Sequence, residues 1–327
     1  MRIRNVFGFL VIGLLLSPLS FAAAVAAQTG SSGSVQETDD KLKVDLYTKF
    51  VETYKVDESA AYQNARAYLQ RYAKDNDQYS KYIQLWIADY EKRDRRKRLM
   101  QLAYKDRNFA EAFAVGKQVM AEDPDQLDSL LALGNAGYLA AAARNANFDK
   151  EAIAYSRRAV QLIESGKAPE NWQPYKGKDE ALAYLFSTIG VLQLRPAPAE
   201  ALDALIKSTQ FDSELRKLPS TYYYLAQAYQ AGPYAKLSAD YQARFAGKPE
   251  SPESKQELEK LNQVIDVMID AYARAVALAG NDAQNAANRT AWLTALTSYY
   301  KFRHQDSDAG LNELIAGVLS KPLPAKP

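Results

Sequence analysis

The chain has no cysteine and only one histidine among its 327 residues. Without cysteine it forms no disulfide and has neither a thiolate nucleophile nor the thiolate ligands of structural zinc sites. The single histidine, His304, ends the segment SYYKFRH, where its side chain suits the C-terminal end of a helix. No HExxH motif, Cys/His cluster or glycine-rich nucleotide loop is present. We therefore expect no metal, no cofactor and no catalytic residue.

The chain also lacks a strong charge imbalance. Its formal net charge is +2, and removal of residues 1–27, which hold two arginines and no acid, leaves 39 basic and 39 acidic side chains. A near-neutral protein is not attracted to polyanions in general, so nucleic acid is not a predicted partner. The basic run KRDRRKR at 92–98 is the sharpest exception. We interpret it as a solvated helix, since Glu91 with Arg95 and Asp94 with Arg98 have i,i+4 spacing; the alternative is a site for an anionic peptide or cell-wall polymer.

Residues 1–27 have the three parts of a secretory signal peptide. Two arginines precede an uncharged apolar run from Val6 to Leu16, and small residues form a cleavage site before Gln28. The alternative is an uncleaved membrane anchor over residues 6–27, which is long enough to span a bilayer. Both interpretations predict an exported protein, periplasmic or extracellular, and only the second attaches it to the membrane.

Residues 28–41 are rich in glycine and serine and then acidic, which predicts a flexible tether. The rest of the chain is helical in pattern, with no competing strand signal. The clearest segment is 127–164, which reads as two amphipathic helices folded back on each other. Gly134, Ala152 and Ala159 fall where these helices must approach closely. Such a unit cannot bury its apolar face alone, so further copies are expected on either side.

Aligned on this unit, the chain resembles the tetratricopeptide repeat family, whose unit has 34 residues. The resemblance rests on four groups of residues: Leu133, Gly134, Ala152 and Ala159; Leu99, Ala112 and Pro124; Tyr222, Leu225, Ala226 and Tyr229; and Leu296, Tyr300, Ala309 and Ala316. It implies an all-α, right-handed α-solenoid of about five helix pairs over residues 42–321. An insertion at 233–257 interrupts the array, and a proline-rich tail follows at 322–327.

In the family that the chain resembles, the first helices of the pairs line a concave groove. The corresponding candidate contacts here are Lys97, Gln101, Tyr104, Asn135, Tyr138, Tyr223 and Gln227. Amides bond an extended backbone, and tyrosine rings add contact area at little entropic cost. The resemblance therefore implies a non-enzymatic scaffold that binds a protein or an extended peptide. Lys97 with Asn135 meets only part of the family's carboxylate clamp, and Trp172 and Tyr175 either line the rim or pack their loop down.

Two other functions stay open at the level of sequence. The 39 carboxylates could include a hydrolytic pair, as in a helical-superhelix enzyme acting on cell-wall glycan. An uncleaved N-terminus would instead give a membrane-anchored envelope assembly factor. The acidic run at 122–125 does not add a calcium site, because Asp128 occupies the position where an EF-hand loop requires glycine. We interpret that run as a turn between helices.

Overall fold

The computed structural model describes residues 32–327, and all the regular structure in that range is helical, as predicted. The chain divides into two compact units, one ending at Ile87 and the other beginning at Ala88. The predicted signal peptide or anchor lies outside the described residues. Over the described range, no helix combines the length and the apolar character needed to cross a membrane.

The N-terminal unit contains two long helices, one short 3-10 turn and the beginning of a third helix. These elements are α1 (Ser32–Thr53), α2 (Glu58–Tyr72), the turn Ala73–Asp75 and the first part of α3 (Gln78–Met100). Helix α1 packs on α2, and the core between them is largely aromatic. Phe50 and Tyr68 are fully buried there, and the ring of Trp86 meets that of Phe50 edge-on at 5.1 Å.

Helix α1 begins at Ser32, so residues 32–41 are helical where the sequence predicted a flexible tether. A tertiary contact explains the difference, because the hydroxyl of Tyr72 donates to the carboxylate of Asp39 at 2.9 Å. The polar stretch therefore has a partner on α2 that composition alone does not reveal. Tertiary contacts of this kind override a weak local preference.

Asp77 holds the start of α3. Its carboxylate accepts the backbone N–H of Ser80 at 2.7 Å and lies 2.6 Å from the ammonium of Lys43 on α1. Partial burial opposes ionisation, but the hydrogen bonds from Lys43 and Ser80 outweigh it and lower the pKa of Asp77 to about 2. The ionised carboxylate therefore stabilises the N-terminal unit.

We expect Asp77→Asn, which keeps a capping side chain, to remove an acid-labile contribution of about 1 kcal/mol, a value reduced for solvent screening. Because the folded-state pKa is lowered, this contribution is present above the unfolded-state value of about 3.9 and is lost as the pH falls towards 2. Urea unfolding of both proteins between pH 5 and pH 2 measures it. Asp77→Ala should cost about 1 kcal/mol more through loss of the cap. Identical pH profiles for wild type and Asp77→Asn would contradict the assignment.

The C-terminal unit is a succession of antiparallel helices that follows the second part of α3. Its α-helices are α4 (Phe109–Glu122), α5 (Leu127–Ala142), α6 (Asp149–Glu164), α7 (Lys178–Gln193), α8 (Pro198–Gln210), α9 (Pro219–Tyr229), α10 (Ala235–Phe245), α11 (Pro252–Ala279), α12 (Ala286–Arg303) and α13 (Leu311–Gly317). Its shorter elements are π-helical turns at Gln101–Asp106 and Gln230–Tyr234 and 3-10 turns at Glu214–Lys217, Ala283–Asn285 and Val318–Ser320.

From α4 to α9 each helix packs on the next one, and α9 then packs on α11 and α11 on α12. Helix α5 also packs on α7. The tightest approach joins α5 to α6, where a Cβ added at Gly137 would lie 2.1 Å from the Cβ of Ala152. A Cβ added at Gly134 would lie 2.8 Å from the hydroxyl of Ser156. The predicted close approach at Gly134 and Ala152 is confirmed.

The basic run at 92–98 lies on α3 and pairs with acids of α4 and the turn after it. Arg95 pairs with Glu122 and lies 4.0 Å from Glu91, as its i,i+4 spacing predicted. Arg98 pairs with Glu111, so the predicted pair with Asp94 is wrong. A carboxylate on α4 reaches Arg98 because the helices are antiparallel, which the i,i+4 rule does not consider.

The acidic run at 122–125 is a turn between α4 and α5, as interpreted from the sequence, and its carboxylates are held by cations. Asp123 lies 3.3 Å from Arg96, and Asp125 pairs with Arg158 and, at 3.0 Å, with Lys167. The carboxylates thus serve as ion-pair partners between helices.

The region predicted as an insertion, 233–257, contains α10 and the first part of α11. Helix α11 begins at Pro252, before the predicted start at Leu258. Ser251 and Ser254 form a reciprocal capping box, and Pro252 suits the first helical position. Pro252 therefore starts a helix inside the region that was predicted as an insertion.

The proline-rich tail packs back on the C-terminal unit. The guanidinium of Arg274 on α11, with 4% of the residue exposed, donates to the carbonyl oxygens of Lys321 and Pro322, each at 2.9 Å. The same guanidinium donates to Asp270 at 2.6 Å. Near the end of the tail, Lys326 pairs with Asp203 of α8 at 2.6 Å.

Candidate binding site: a tyrosine row and its cleft

A cleft of about 660 Å³ lies between α9, α11 and α12, and we call it the tyrosine cleft. Tyr223 and Gln227, both predicted from the sequence, line it. They are four residues apart on α9, so they share one face of that helix. The indole of Trp292 on α12 stacks on the ring of Tyr223 with 5.3 Å between ring centroids. An aromatic pair and an amide therefore lie side by side at one opening.

The amide of Gln227 is partly engaged inside the protein. Its nitrogen donates to the hydroxyl of Tyr272 on α11 at 2.7 Å and to the side-chain oxygen of Gln230 at 3.1 Å. Burial raises the pKa of Tyr272 to about 12, so its phenol is neutral at physiological pH. The side-chain oxygen of Gln227 has no hydrogen-bond partner among the residues that the structure describes. Gln227 can therefore accept a hydrogen bond from a ligand but has no free donor.

A set of neighbouring tyrosines, which we call the tyrosine row, reaches this cleft through Tyr223 and Tyr224. Its members, each next to the one before, are Tyr104, Tyr175, Tyr184, Tyr138, Tyr224 and Tyr223. At one end, the rings of Tyr175 and Tyr184 are 5.5 Å apart. Burial raises the pKa of Tyr175, and the neighbouring phenols of Tyr104 and Tyr184 raise it further. Burial likewise raises the pKa of Tyr104.

Further along the row, Tyr138 of α5 is next to both Tyr184 of α7 and Tyr224 of α9. Burial, with smaller contributions from the neighbouring phenols of Tyr224 and Tyr184, raises the pKa of Tyr138 to about 12. The rings of Tyr223 and Tyr224 are 5.4 Å apart. A phenol hydroxyl can both donate and accept a hydrogen bond, and the rings provide apolar area.

The remaining predicted contacts do not line the cleft. Asn135 is half-buried on α5, and its amide has no hydrogen-bond partner within the described part of the chain. Lys97 is exposed on α3. Gln101, in the π-helical turn that follows, is also exposed and donates to Asp106 at 3.3 Å.

The loop at 165–178 is packed down rather than open. Tyr175 is 5% exposed, and its backbone N–H donates to the carbonyl oxygen of Trp172 at 2.7 Å. Trp172 is half-buried against the same core cluster. Of the two interpretations left by the sequence, the packing role is the one that these contacts support for both residues.

Sequence reasoning did not name Tyr184, Tyr224 or Trp292 as candidates. Tyr184 and Trp292 lie on α7 and α12, for which no groove positions were aligned. Tyr224 directly follows Tyr223, and successive helical residues usually point in different directions. A local excess of aromatic residues was the signal that could have identified them.

The lining of the tyrosine cleft contains no carboxylate. In the described range, no cluster of three or more His, Asp or Glu side chains could hold a metal ion. His304 ends α12, where its Nδ1 lies 2.8 Å from the carbonyl oxygen of Tyr300 and its ring stacks on that of Tyr300. The side chains that do line the cleft include tyrosine and tryptophan rings and glutamine and asparagine amides.

Comparison with known proteins finds no matching family model, no matching characterised protein and no matching solved structure.

Proposed function

We propose that the C-terminal unit is a solenoid of tetratricopeptide-like helix pairs that binds an extended segment of another protein. The packing order supports it: α6 packs on its partner α5 and on the following α7, and α8 packs on α7 and α9 in the same way. A stack of helix pairs in which each pair contacts its neighbours is how such arrays bury their cores.

The observation that carries the proposal is the continuity of the tyrosine row with the tyrosine cleft. A peptide laid along the half-buried part of the row meets Tyr184 of α7, Tyr138 of α5 and Tyr224 of α9 and ends against Tyr223 and Trp292. Aromatic side chains with little entropy to lose are the residues that dominate binding energy at protein interfaces. The absence of carboxylates from the cleft lining supports binding over hydrolysis at this position.

We expect a triple variant, Tyr138→Ala, Tyr223→Ala and Tyr224→Ala, to bind peptides at least tenfold more weakly than the wild type. Each substitution removes aromatic contact area from the row while leaving the helical backbone in place. The full-length protein is used to select binders from a random dodecapeptide display library. The affinities of the selected peptides for both proteins are then measured by fluorescence anisotropy.

The matched control is Phe302→Ala, which removes an aromatic side chain that is 61% exposed on α12 and outside the cleft lining. It should bind like the wild type, and circular dichroism should show that all variants are folded. Peptides that bind the triple variant as tightly as the wild type would overturn the proposal.

A further inference from the structure

A second and larger cleft, of about 1210 Å³, lies beside the tyrosine cleft. The loops between α5 and α6 and between α7 and α8 border it, together with one face of α6. Arg144, Lys150 and Arg195 are exposed along its lining, and we call it the arginine cleft. Tyr224 lines both clefts, so they adjoin at a member of the tyrosine row.

Of the four cations that line the arginine cleft, Arg144, Lys150 and Arg195 have no ion-pair partner among the described residues. The fourth cation, Arg157, pairs with Glu200 at 2.5 Å. One carboxylate, Asp149, also lines the cleft, so its cations remain in excess. An excess of cations around a concavity attracts an anionic ligand. Guanidinium groups bind carboxylates with two parallel hydrogen bonds, so Arg144 and Arg195 suit that ligand group in particular.

A buried acceptor without a donor gives the second, independent observation. Gln193 of α7 lines the arginine cleft with 6% of its surface exposed. Its side-chain nitrogen donates to Glu200 at 2.9 Å, but its side-chain oxygen is buried without a hydrogen-bond partner. A buried acceptor is normally satisfied, and a ligand N–H entering the cleft would satisfy this one.

We propose that the arginine cleft binds acidic side chains of the same peptide that occupies the tyrosine row; this inference rests on the function proposed above. The ligand is a segment in which Asp or Glu lies next to an aromatic or apolar residue. Its carboxylates bind Arg144, Lys150 and Arg195, and a backbone N–H donates to the side-chain oxygen of Gln193. Aliphatic lining residues such as Ile153 and Val191 suit the stems of peptide side chains.

The test repeats the library selection on the full-length wild type, on a site variant and on a charge-matched control. The site variant carries Arg144→Gln, Lys150→Gln and Arg195→Gln. The control carries Lys236→Gln, Lys255→Gln and Lys260→Gln, which remove the same charge from exposed positions outside both clefts. We expect binders selected on the wild type and the control to hold at least twice the library's frequency of Asp and Glu, and those selected on the site variant to match the library.

The affinities of one selected peptide and of its Glu→Gln form for the wild type and the site variant then give the coupling free energy between the peptide carboxylate and the cations of the cleft. The acidic form should bind the wild type at least tenfold more tightly than the amide form, whereas the site variant should distinguish them less than twofold.

Equal acid enrichment on the site variant, or loss of enrichment on the control as well, would overturn the inference but leave the proposed function intact. Binders without acid enrichment, together with polygalacturonate that binds the wild type and not the site variant, would assign the cleft to an acidic glycan instead. If the selected peptides bind the tyrosine triple variant as tightly as the wild type, the proposed function itself is wrong.

Discussion

Replacing Arg274 by alanine should lower the free energy of unfolding of the C-terminal unit by about 3–5 kcal/mol, the usual cost of breaking a buried ion pair. The substitution leaves the carboxylate of Asp270 without its cation and two carbonyl oxygens of the tail, at Lys321 and Pro322, without their donor. Urea unfolding followed by tryptophan fluorescence measures the loss, because Trp172 and Trp292 lie in this unit.

The loss of unfolding free energy caused by Arg274→Ala should depend on pH in a defined direction. Burial raises the pKa of Asp270 above its ordinary value, and the guanidinium of Arg274 only partly opposes this. Without Arg274 the pKa rises further. An acid whose folded-state pKa is raised destabilises the fold as the pH climbs above the unfolded-state value of about 3.9, and the full penalty is present above the folded-state pKa. The effect of Arg274→Ala should therefore be largest at pH 7 and shrink towards pH 4.

Two further variants distinguish the cost of leaving a buried charge unpaired from the cost of losing an ion pair in general. Arg303→Ala breaks an exposed pair with Asp266, whose atoms are 2.7 Å apart, and should cost less than about 1 kcal/mol. Arg274→Met combined with Asp270→Leu should cost less than Arg274→Ala, because no buried charge is left unpaired. A cost for Arg274→Ala that equals that of Arg303→Ala and is constant with pH would contradict this account of the tail.

Gly137→Ala should destabilise the C-terminal unit by about 2 kcal/mol, even though alanine improves intrinsic helix propensity by about 1 kcal/mol. The added Cβ would lie 2.1 Å from the Cβ of Ala152, so α5 and α6 must move apart. The same urea unfolding measurement at pH 7 gives the loss.

A swap of the two small residues tests the steric cause. Adding Ala152→Gly to Gly137→Ala removes the colliding Cβ and should bring the stability to within about 1 kcal/mol of the wild type, the remainder being the propensity cost of glycine in α6. Gly317→Ala on α13 is the control, since nothing lies within 4 Å of its added Cβ. If Gly137→Ala lowers the free energy of unfolding no more than Gly317→Ala does, or if the swap restores none of the loss, the close approach of α5 and α6 does not determine the stability of the C-terminal unit.

The helices of the C-terminal unit could be predicted because local rules and packing agree there. The spacing of apolar residues at 127–164 indicates α5 and α6, and the small residues Gly134 and Ala152 mark their contact. Prediction failed where a contact distant in sequence decides the local structure. The hydroxyl of Tyr72 binds Asp39 and so stabilises the polar start of α1, and Arg98 pairs with Glu111 where the sequence predicted a pair with Asp94.

The candidate site was predictable in part for the same reason. Helical spacing placed Tyr223 and Gln227 on one face, and both line the tyrosine cleft. It could not show that Tyr272 already occupies the amide nitrogen of Gln227, because that contact joins residues 45 positions apart. The arginine cleft could not be predicted for a related reason: Arg144 and Arg195 lie on separate loops and Lys150 lies on α6, and only the fold brings them to one cleft.

The contact between Arg274 and the tail has a topological consequence. It joins residues 47 positions apart, so α12 and α13 form a loop closed at its base by side-chain hydrogen bonds. A closed loop has fewer conformations to explore than a free end, and the entropy gained when α12 detaches is correspondingly smaller. Trp292 lies within this loop, so the last residues of the chain help to hold one wall of the tyrosine cleft in place.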